Sequence, residues 1–214
     1  AYTVDGQLAL IDGVLKSLAI DQCAIVGHSY GGALALLFAQ RHPERVQGLA
    51  LISPAAEFDK PPWYLRSEPG RTVAYAMTRG LLSRPQLFRK VLENAFHQKD
   101  KLTEPVVEAY RERLLVEGMR DAYQGFMREL GTANGFGFDF ANITTPTLVV
   151  AGRHDAIIAL DQCRRVADAL PNAKLLILEE SGHSAPEEEP LALSDAILEM
   201  TARDAPSCSS RPTH

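Results

Sequence analysis

The chain has 214 residues, 46% of them hydrophobic, and a net charge of -5, enough to bury a substantial core without disulfide or metal staples. Positive and negative residues are interspersed and no basic cluster exceeds Arg164-Arg165, which excludes the electrostatic footprint of a nucleic-acid binder. No stretch approaches the roughly 20 apolar residues of a membrane span, and the first residues lack the basic and apolar regions of a signal peptide, so a soluble cytoplasmic protein that handles a small molecule is expected.

Leu8, Ile11, Leu15 and Leu18 recur at spacings of three and four, which predicts an amphipathic helix ending near Ile20-Asp21 and packed on a sheet through those residues. The apolar run Cys23-Ala24-Ile25-Val26 reads as a strand, uncharged on both faces, and Gly32 to Ala39 reads as a helix. Between them stands Gly27-His28-Ser29-Tyr30-Gly31. A serine flanked by glycines two residues either way, on a sharp strand-to-helix turn, has its hydroxyl lifted clear of the sheet. Side chains at Gly27 and Gly31 are expected to clash in so crowded a turn. Ser29 is therefore the candidate nucleophile, with the amide of Tyr30, at the positive end of the helix, as an oxyanion donor. The bland alternative is a glycine-rich turn whose serine caps the helix. His28 abuts the serine and is expected to point away from it, as a structural or pocket-wall residue.

Arg41-His42-Pro43 stops the helix, and Val46 to Pro54 reads as the next strand, joined to the first by a parallel crossover. From 57 to 142 strand-like runs give way to helical segments punctuated by proline. Leu87, Phe88, Val91, Leu92 and Phe96 mark one, Val107, Tyr110 and Leu114 another, and Met119, Tyr123, Phe126, Met127 and Leu130 a third. A helical insertion between core strands is a source of a lid. Trp63, Tyr64, Phe88 and Phe126 are candidates to line a substrate pocket, with packing inside the insertion as the alternative.

Two further apolar runs, Thr147 to Ala151 and Lys174 to Leu178, each end in a loop with polar chemistry: Gly152-Arg153-His154-Asp155 and Glu179-Glu180-Ser181-Gly182-His183-Ser184. Leu160, Cys163, Val166, Ala167 and Leu170 make the helix between them. Loops at the carboxyl ends of parallel strands lie along one rim, so Ser29, Asp155 and His183 are expected to converge. A serine needs a histidine to take its proton and an acid to fix the histidine tautomer. Asp161, Glu57 and Asp59 are alternative acids, and His183 has a bland reading as a cap of the last helix. That helix carries Leu191, Ser194, Ile197 and Leu198, with Glu187, Glu188 and Glu189 at its front as complements to the helix dipole. Residues 204-214 read as a disordered tail. Cys23, Cys163 and Cys208 have no motif spacing and read as reduced, non-catalytic thiols. His28, His154 and His183 lack the close helical pairing of a zinc motif, so no metal is expected.

The Gly27-His28-Ser29-Tyr30-Gly31-Gly32 turn, the Gly152-Arg153-His154-Asp155 loop and the Ser181-Gly182-His183-Ser184-Ala185-Pro186 turn ahead of Glu189-Pro190 together resemble the alpha/beta-hydrolase superfamily, in its serine-nucleophile branch with a helical cap. The resemblance spans most of residues 1-203. It implies an α/β fold, the C-terminal portion of a three-layer parallel sheet, with a core of 1-56 and 143-203 and a helical cap of 57-142. It also implies Ser29 as nucleophile, His183 as general base and acid, Asp155 as orienting carboxylate, and no cofactor. The expected reaction is cleavage of a carboxylic ester through an acyl-serine. Hydrolysis of a carbon-carbon bond in a ring-cleavage product, or a cofactor-free haloperoxidase-like reaction, are alternatives.

Family members begin with about four strands ahead of the serine turn, and a loop after the third supplies a second oxyanion amide. The resemblance thus implies that this sequence is a fragment, or a product whose upstream portion lies elsewhere. The strand at Cys23 would then be an edge, open to aggregation, to a homo-oligomeric partner or to a missing N-terminal segment. A lost oxyanion donor costs about 3 kcal/mol in the barrier, so a weakened catalyst, or an inert binding module, is a further expectation.

Overall fold

A computed structural model describes residues 2-56, 67-130 and 137-203. Trp63, Tyr64, Glu57, Asp59, Cys208 and the tail at 204-214 lie outside these residues. Four strands form one sheet in sequence order, β1 (Cys23-His28), β2 (Val46-Ile52), β3 (Thr147-Gly152) and β4 (Ala173-Leu178). Every pairing is parallel, with Val26 opposite Ala50, Leu51 opposite Val149 and Val149 opposite Leu175.

The period-two pattern of the strands sorts their side chains into two cores. Leu49, Leu51, Val149 and Ala151 point to one face, where α1 (Val4-Ser17), α2 (Tyr30-Arg41) and α7 (Leu160-Ala169) bury Leu8, Leu15, Leu36, Phe38, Cys163 and Val166. Ile52, Val150 and Leu178 point to the other, against Leu193 and Ile197 of α9 (Pro190-Arg203). Helices on both faces of a parallel sheet make the expected three layers.

Several details differ from the sequence reading. The first helix stops at Ser17, so Leu18 falls past its last periodic turn and is 62% exposed rather than packed. In α9 the side chain that enters the core is Leu193, while Leu191 and Leu198 face out. The acids Glu187 and Glu188 do not open that helix. They belong to a separate turn, α8 (Ala185-Glu188), ahead of it. Glu189, at φ -129 ahead of Pro190, makes the break.

Between β2 and β3 the described residues contain four helices, α3 (Glu68-Leu82), α4 (Pro85-Leu92), α5 (Glu104-Arg113) and α6 (Met119-Leu130), and no strand. Helix α3 has no counterpart in the sequence reading. It contains Pro69, Gly70 and Gly80, and its apolar Val73 and Met77 are exposed, so no buried stripe marks it. Phe88, Phe96, Leu102 and Val107 form a small core of the insertion itself, so Phe88 is a packing residue rather than a pocket wall. Phe96 lies beyond the end of α4 but closes the same cluster.

At the other margin, β1 pairs only with β2 among the described residues, and Val26 is 50% exposed. The strand that carries the serine turn is thus an edge of the described sheet. No helix among the described residues is long and apolar enough to cross a membrane.

Candidate active site

Ser29, Asp155 and His183 lie just past the carboxyl ends of β1, β3 and β4, on one rim of the parallel sheet. Ser29 has φ 54 and ψ -119, in a region that non-glycine residues seldom occupy. The surrounding backbone holds it there. Its N-H donates to Ile52 O at 2.9 Å, and its carbonyl accepts from Gly32 and Ala33 of α2 and from Ala55 beyond β2. Ser29 stands at the N-cap position of α2, but its hydroxyl makes no capping bond there.

The glycines around the turn serve unequal purposes. A Cβ on Gly27 would stand 2.4 Å from Gly31 O and 2.8 Å from Gly32 Cα, so the end of β1 and the start of α2 touch backbone to backbone. A Cβ on Gly31, contrary to the sequence expectation, would meet nothing within 4 Å. The crowded partner is Gly32, whose Cβ would press on Pro54 at 3.0 Å. Tyr30 opens α2, so its amide belongs to the first turn, where helix N-H groups point out of the helix end. Its ring meets Phe126 of α6 edge-on at 4.7 Å, and its hydroxyl accepts from Gln7 Nε2 at 2.8 Å. Phe126 thereby reaches the serine turn, while Trp63 lies outside the described residues.

Asp155 and His183 are joined. Nδ1 of His183 stands 2.8 Å from Asp155 Oδ2, and the Asp155 side chain is wholly buried. The other carboxylate oxygen accepts the amides of Ile157 and Ile158, both at 2.8 Å. Burial alone would raise this carboxyl. The hydrogen bond and charge of His183, the Ile158 amide and the nearby Ser53 hydroxyl outweigh it and hold the group below the ordinary 3.8. An ionised acceptor at Nδ1 assigns the proton there, and the neutral ring then presents Nε2 as a base. Asp161 is excluded as the orienting acid, since its carboxylate pairs with Arg164 on the exposed side of α7. His183 does not cap the last helix, which starts at Pro190, and the turn α8 between them has Ser184 as its cap.

His28 takes a more definite place than a pocket wall. Its Nε2 donates to the carbonyl of His183 at 2.8 Å, and the two rings lie 4.8 Å apart. Burial, reinforced by the charge of His183, lowers its pKa against the opposing pull of that hydrogen bond and of Glu187 and Asp155. A neutral His28 therefore ties the serine turn to the histidine loop. Among the described residues no hydrogen bond joins Ser29 Oγ to His183, whose ring is bonded to Asp155, and catalytic serine-histidine bonds commonly tighten only with substrate bound.

Glycines also set the loops. A Cβ on Gly152 would lie 2.1 Å from Gly182 O, and one on Gly182 would lie 2.8 Å from His97 N. Three backbones are stacked in contact there: the end of β3, the histidine loop and the turn after α4. The side chains of Glu188 and Glu189 bind the same loop, Glu188 through the Gly182 amide and Glu189 through Ser181 Oγ. Sequence reasoning gave Gly152 and Gly182 no packing role and read Glu188 only as a complement to the helix dipole. Their signal was present as two glycines and an acid cluster flanking the candidate histidine, but the partners are supplied by residues 95-98. The thiol of Cys163, under Asp155, is pushed up to about 12 by burial and by that carboxylate, which makes it inert at neutral pH. Cys23 is a second free thiol.

A family model described as the alpha/beta hydrolase fold matches residues 1-190. The chain belongs to the alpha/beta hydrolase family. It is 28% identical over 197 residues to a 2-hydroxy-6-oxononadienedioate/2-hydroxy-6-oxononatrienedioate hydrolase of Cupriavidus pinatubonensis, covering 89% of this chain and 66% of that protein. Among solved structures, a meta-cleavage product hydrolase from Pseudomonas fluorescens superposes with a TM-score of 0.74 at 19% identity, over 95% of this chain and 73% of the other. A thermophilic esterase from Thermogutta terrifontis superposes with a TM-score of 0.73 at 23% identity, over 94% and 73%. The chain spans about two thirds of the length of the curated relative from Cupriavidus pinatubonensis.

Proposed function

We propose that the protein is a serine-dependent hydrolase that cleaves a carbon-carbon bond beside a ketone in small ring-cleavage products, with Ser29 as nucleophile, His183 as general base and acid, and Asp155 as the carboxylate that orients it. The observation that carries the chemistry is the 2.8 Å Asp155-His183 bond set on the same rim as a serine held at φ 54. The similarity to the hydrolase from Cupriavidus pinatubonensis favours the carbon-carbon substrate over a simple ester.

Ser29 Oγ adds to the ketone carbon while His183 Nε2 takes its proton, and the amide of Tyr30 donates to the developing oxyanion. The electrons of the carbon-carbon bond leave on the adjacent carbon, which takes the proton back from His183. Water then adds to the acyl carbon as His183 takes its proton, and His183 returns that proton to Ser29 Oγ as the carboxylic acid leaves. Asp155 stabilises the imidazolium at both stages. The described helices between β2 and β3 act as a cap over this rim, an assignment supported by Phe126 against Tyr30 and by the turn after α4 against the histidine loop.

Ester hydrolysis by the same residues is the second reading, favoured by the likeness to the esterase from Thermogutta terrifontis. A panel of 2-hydroxy-6-oxodienoates, followed by loss of their chromophore, and p-nitrophenyl esters of matched size separates the two. Dienoates with the higher kcat/KM support the proposal, and esters with the higher value overturn it in favour of the second reading. Fluorophosphonate labelling tests the shared chemistry. Stoichiometric labelling that Ser29→Ala abolishes supports it, and a folded chain that stays unlabelled points to an inert binding module.

A further inference from the structure

We infer that Glu188 is a positioning residue for His183, and that through it the helical insertion dictates where the base stands. Its side chain is buried, with the residue 3% exposed, a costly location for a carboxylate unless several donors satisfy it. Three backbone N-H groups do so, and they come from two bodies. Oε1 accepts His97 N and Gln98 N, each at 2.6 Å, from the turn after α4. Oε2 accepts Gly182 N at 2.7 Å, one residue ahead of His183. One carboxylate thus bridges the insertion and the histidine loop with short, charge-assisted bonds.

The same turn grips the loop on its other side. Ser184 N donates to Ala95 O at 2.9 Å, and Gln98 Nε2 donates to Glu180 O at 2.9 Å. Gly182 lies so close to Ala95 O and His97 N that no side chain fits between them. Backbone on both sides of His183 is therefore held by residues 95-98, while the sheet side contributes Gly152 packed under Gly182, the His154 amide on Ser181 O, Asp155 and His28. A misplacement of the base by about 1 Å can cost on the order of a hundredfold in rate. The position of the loop backbone is what Glu188 governs. This inference rests on the proposed roles of Ser29 and His183.

Glu188→Gln tests it. The glutamine has the same shape but an acceptor on one side only, so its NH2 group must face either Gly182 N-H or the His97 and Gln98 amides, donor against donor. The expected result is a fall of about tenfold to a hundredfold in the maximal rate of fluorophosphonate labelling at Ser29. The half-saturating probe concentration stays unchanged, the pH profile of labelling shifts, and the downfield proton resonance of the His183 Nδ1-H bond to Asp155 moves or broadens. A lower melting temperature with unchanged labelling rate, pH profile and resonance in the folded protein would assign Glu188 a merely structural role and overturn the inference. If Glu188→Gln does not fold, His97→Pro, which removes one insertion donor, is read by the same measurements. A wild-type chain that resists labelling counts against the Ser29 and His183 assignment, and the proton resonance, which needs no nucleophile, still decides the role of Glu188.

Discussion

The serine turn and the histidine loop both stand at strand ends and both depend on a glycine wedged against another backbone, yet they are held by different means. At the serine turn the contacts are local: Gly27 against Gly31 and Gly32, and Ser29 N on Ile52 O in the adjacent strand. At the histidine loop they come from far away in the chain, from His97 and Gln98 through Glu188, and from Gly152 beneath Gly182. A nucleophile must be aimed once and kept still, and short-range backbone geometry suffices for that. The proposed base stands on a segment whose seat is shared with the helical insertion.

Breaking either side at its chemistry should give the largest effects. Ser29→Ala is expected to lower kcat on the order of 10⁶-fold, measured on whichever substrate class proves active, with fluorophosphonate labelling lost. Asp155→Asn is expected to lower it by about 10⁴-fold, because an amide can hold the wrong tautomer of His183. Its downfield proton resonance should disappear, and a variant that retains half of wild-type turnover would remove Asp155 from the assignment.

The glycine contacts sharpen the comparison through stability. Gly27→Ala pushes a methyl group to 2.4 Å from a carbonyl oxygen and should cost roughly 3 kcal/mol or more in urea unfolding, in the upper range of single substitutions. Gly31→Ala, with open space around its Cβ and a helical position, should be neutral or gain about 0.5 kcal/mol. Equal losses at the two positions would refute the described packing of the turn.

The smallest effect concerns pH. His28 has its pKa lowered below the ordinary 6.5 by burial and by His183. Above that value both folded and unfolded chains hold it neutral and it contributes no pH dependence. As pH falls through 6.5 the unfolded chain gains the proton first, and stability declines until the folded value is passed. His28→Gln retains a donor for His183 O without a titrating ring, so its stability curve should be flatter below pH 6.5. Asp155, lowered in the folded state, stabilises above 3.8 and loses that contribution as pH falls further. An unaltered slope in His28→Gln between these limits would place the titration on other groups.

What the sequence made legible follows the same division. The strand ends at Ser29, Asp155 and His183 could be read because each combines an apolar run with a polar loop inside a few residues, and parallel strands put such loops on one rim. The need for Gly32 rather than Gly31 was hidden, because Pro54, the residue that crowds it, sits beyond the next strand. Glu188 was hidden for a stronger reason. Three adjacent glutamates at a helix start look like complements to a dipole, and nothing within reach of them in sequence indicates that amides at 97 and 98 will fold onto one. Helix α3 escaped because Pro69, Gly70 and Gly80 read as breakers, and its exposed Val73 and Met77 give no core face to recognise.

Among the described residues, the outer margin of β1 has no ladder neighbour. The strained serine therefore sits at the end of a strand braced from β2 alone, and brief fraying of that margin needs far less free energy than opening the middle of the sheet. Amide exchange should be fast along the outward side of Cys23-His28 and slow through β2 and β3.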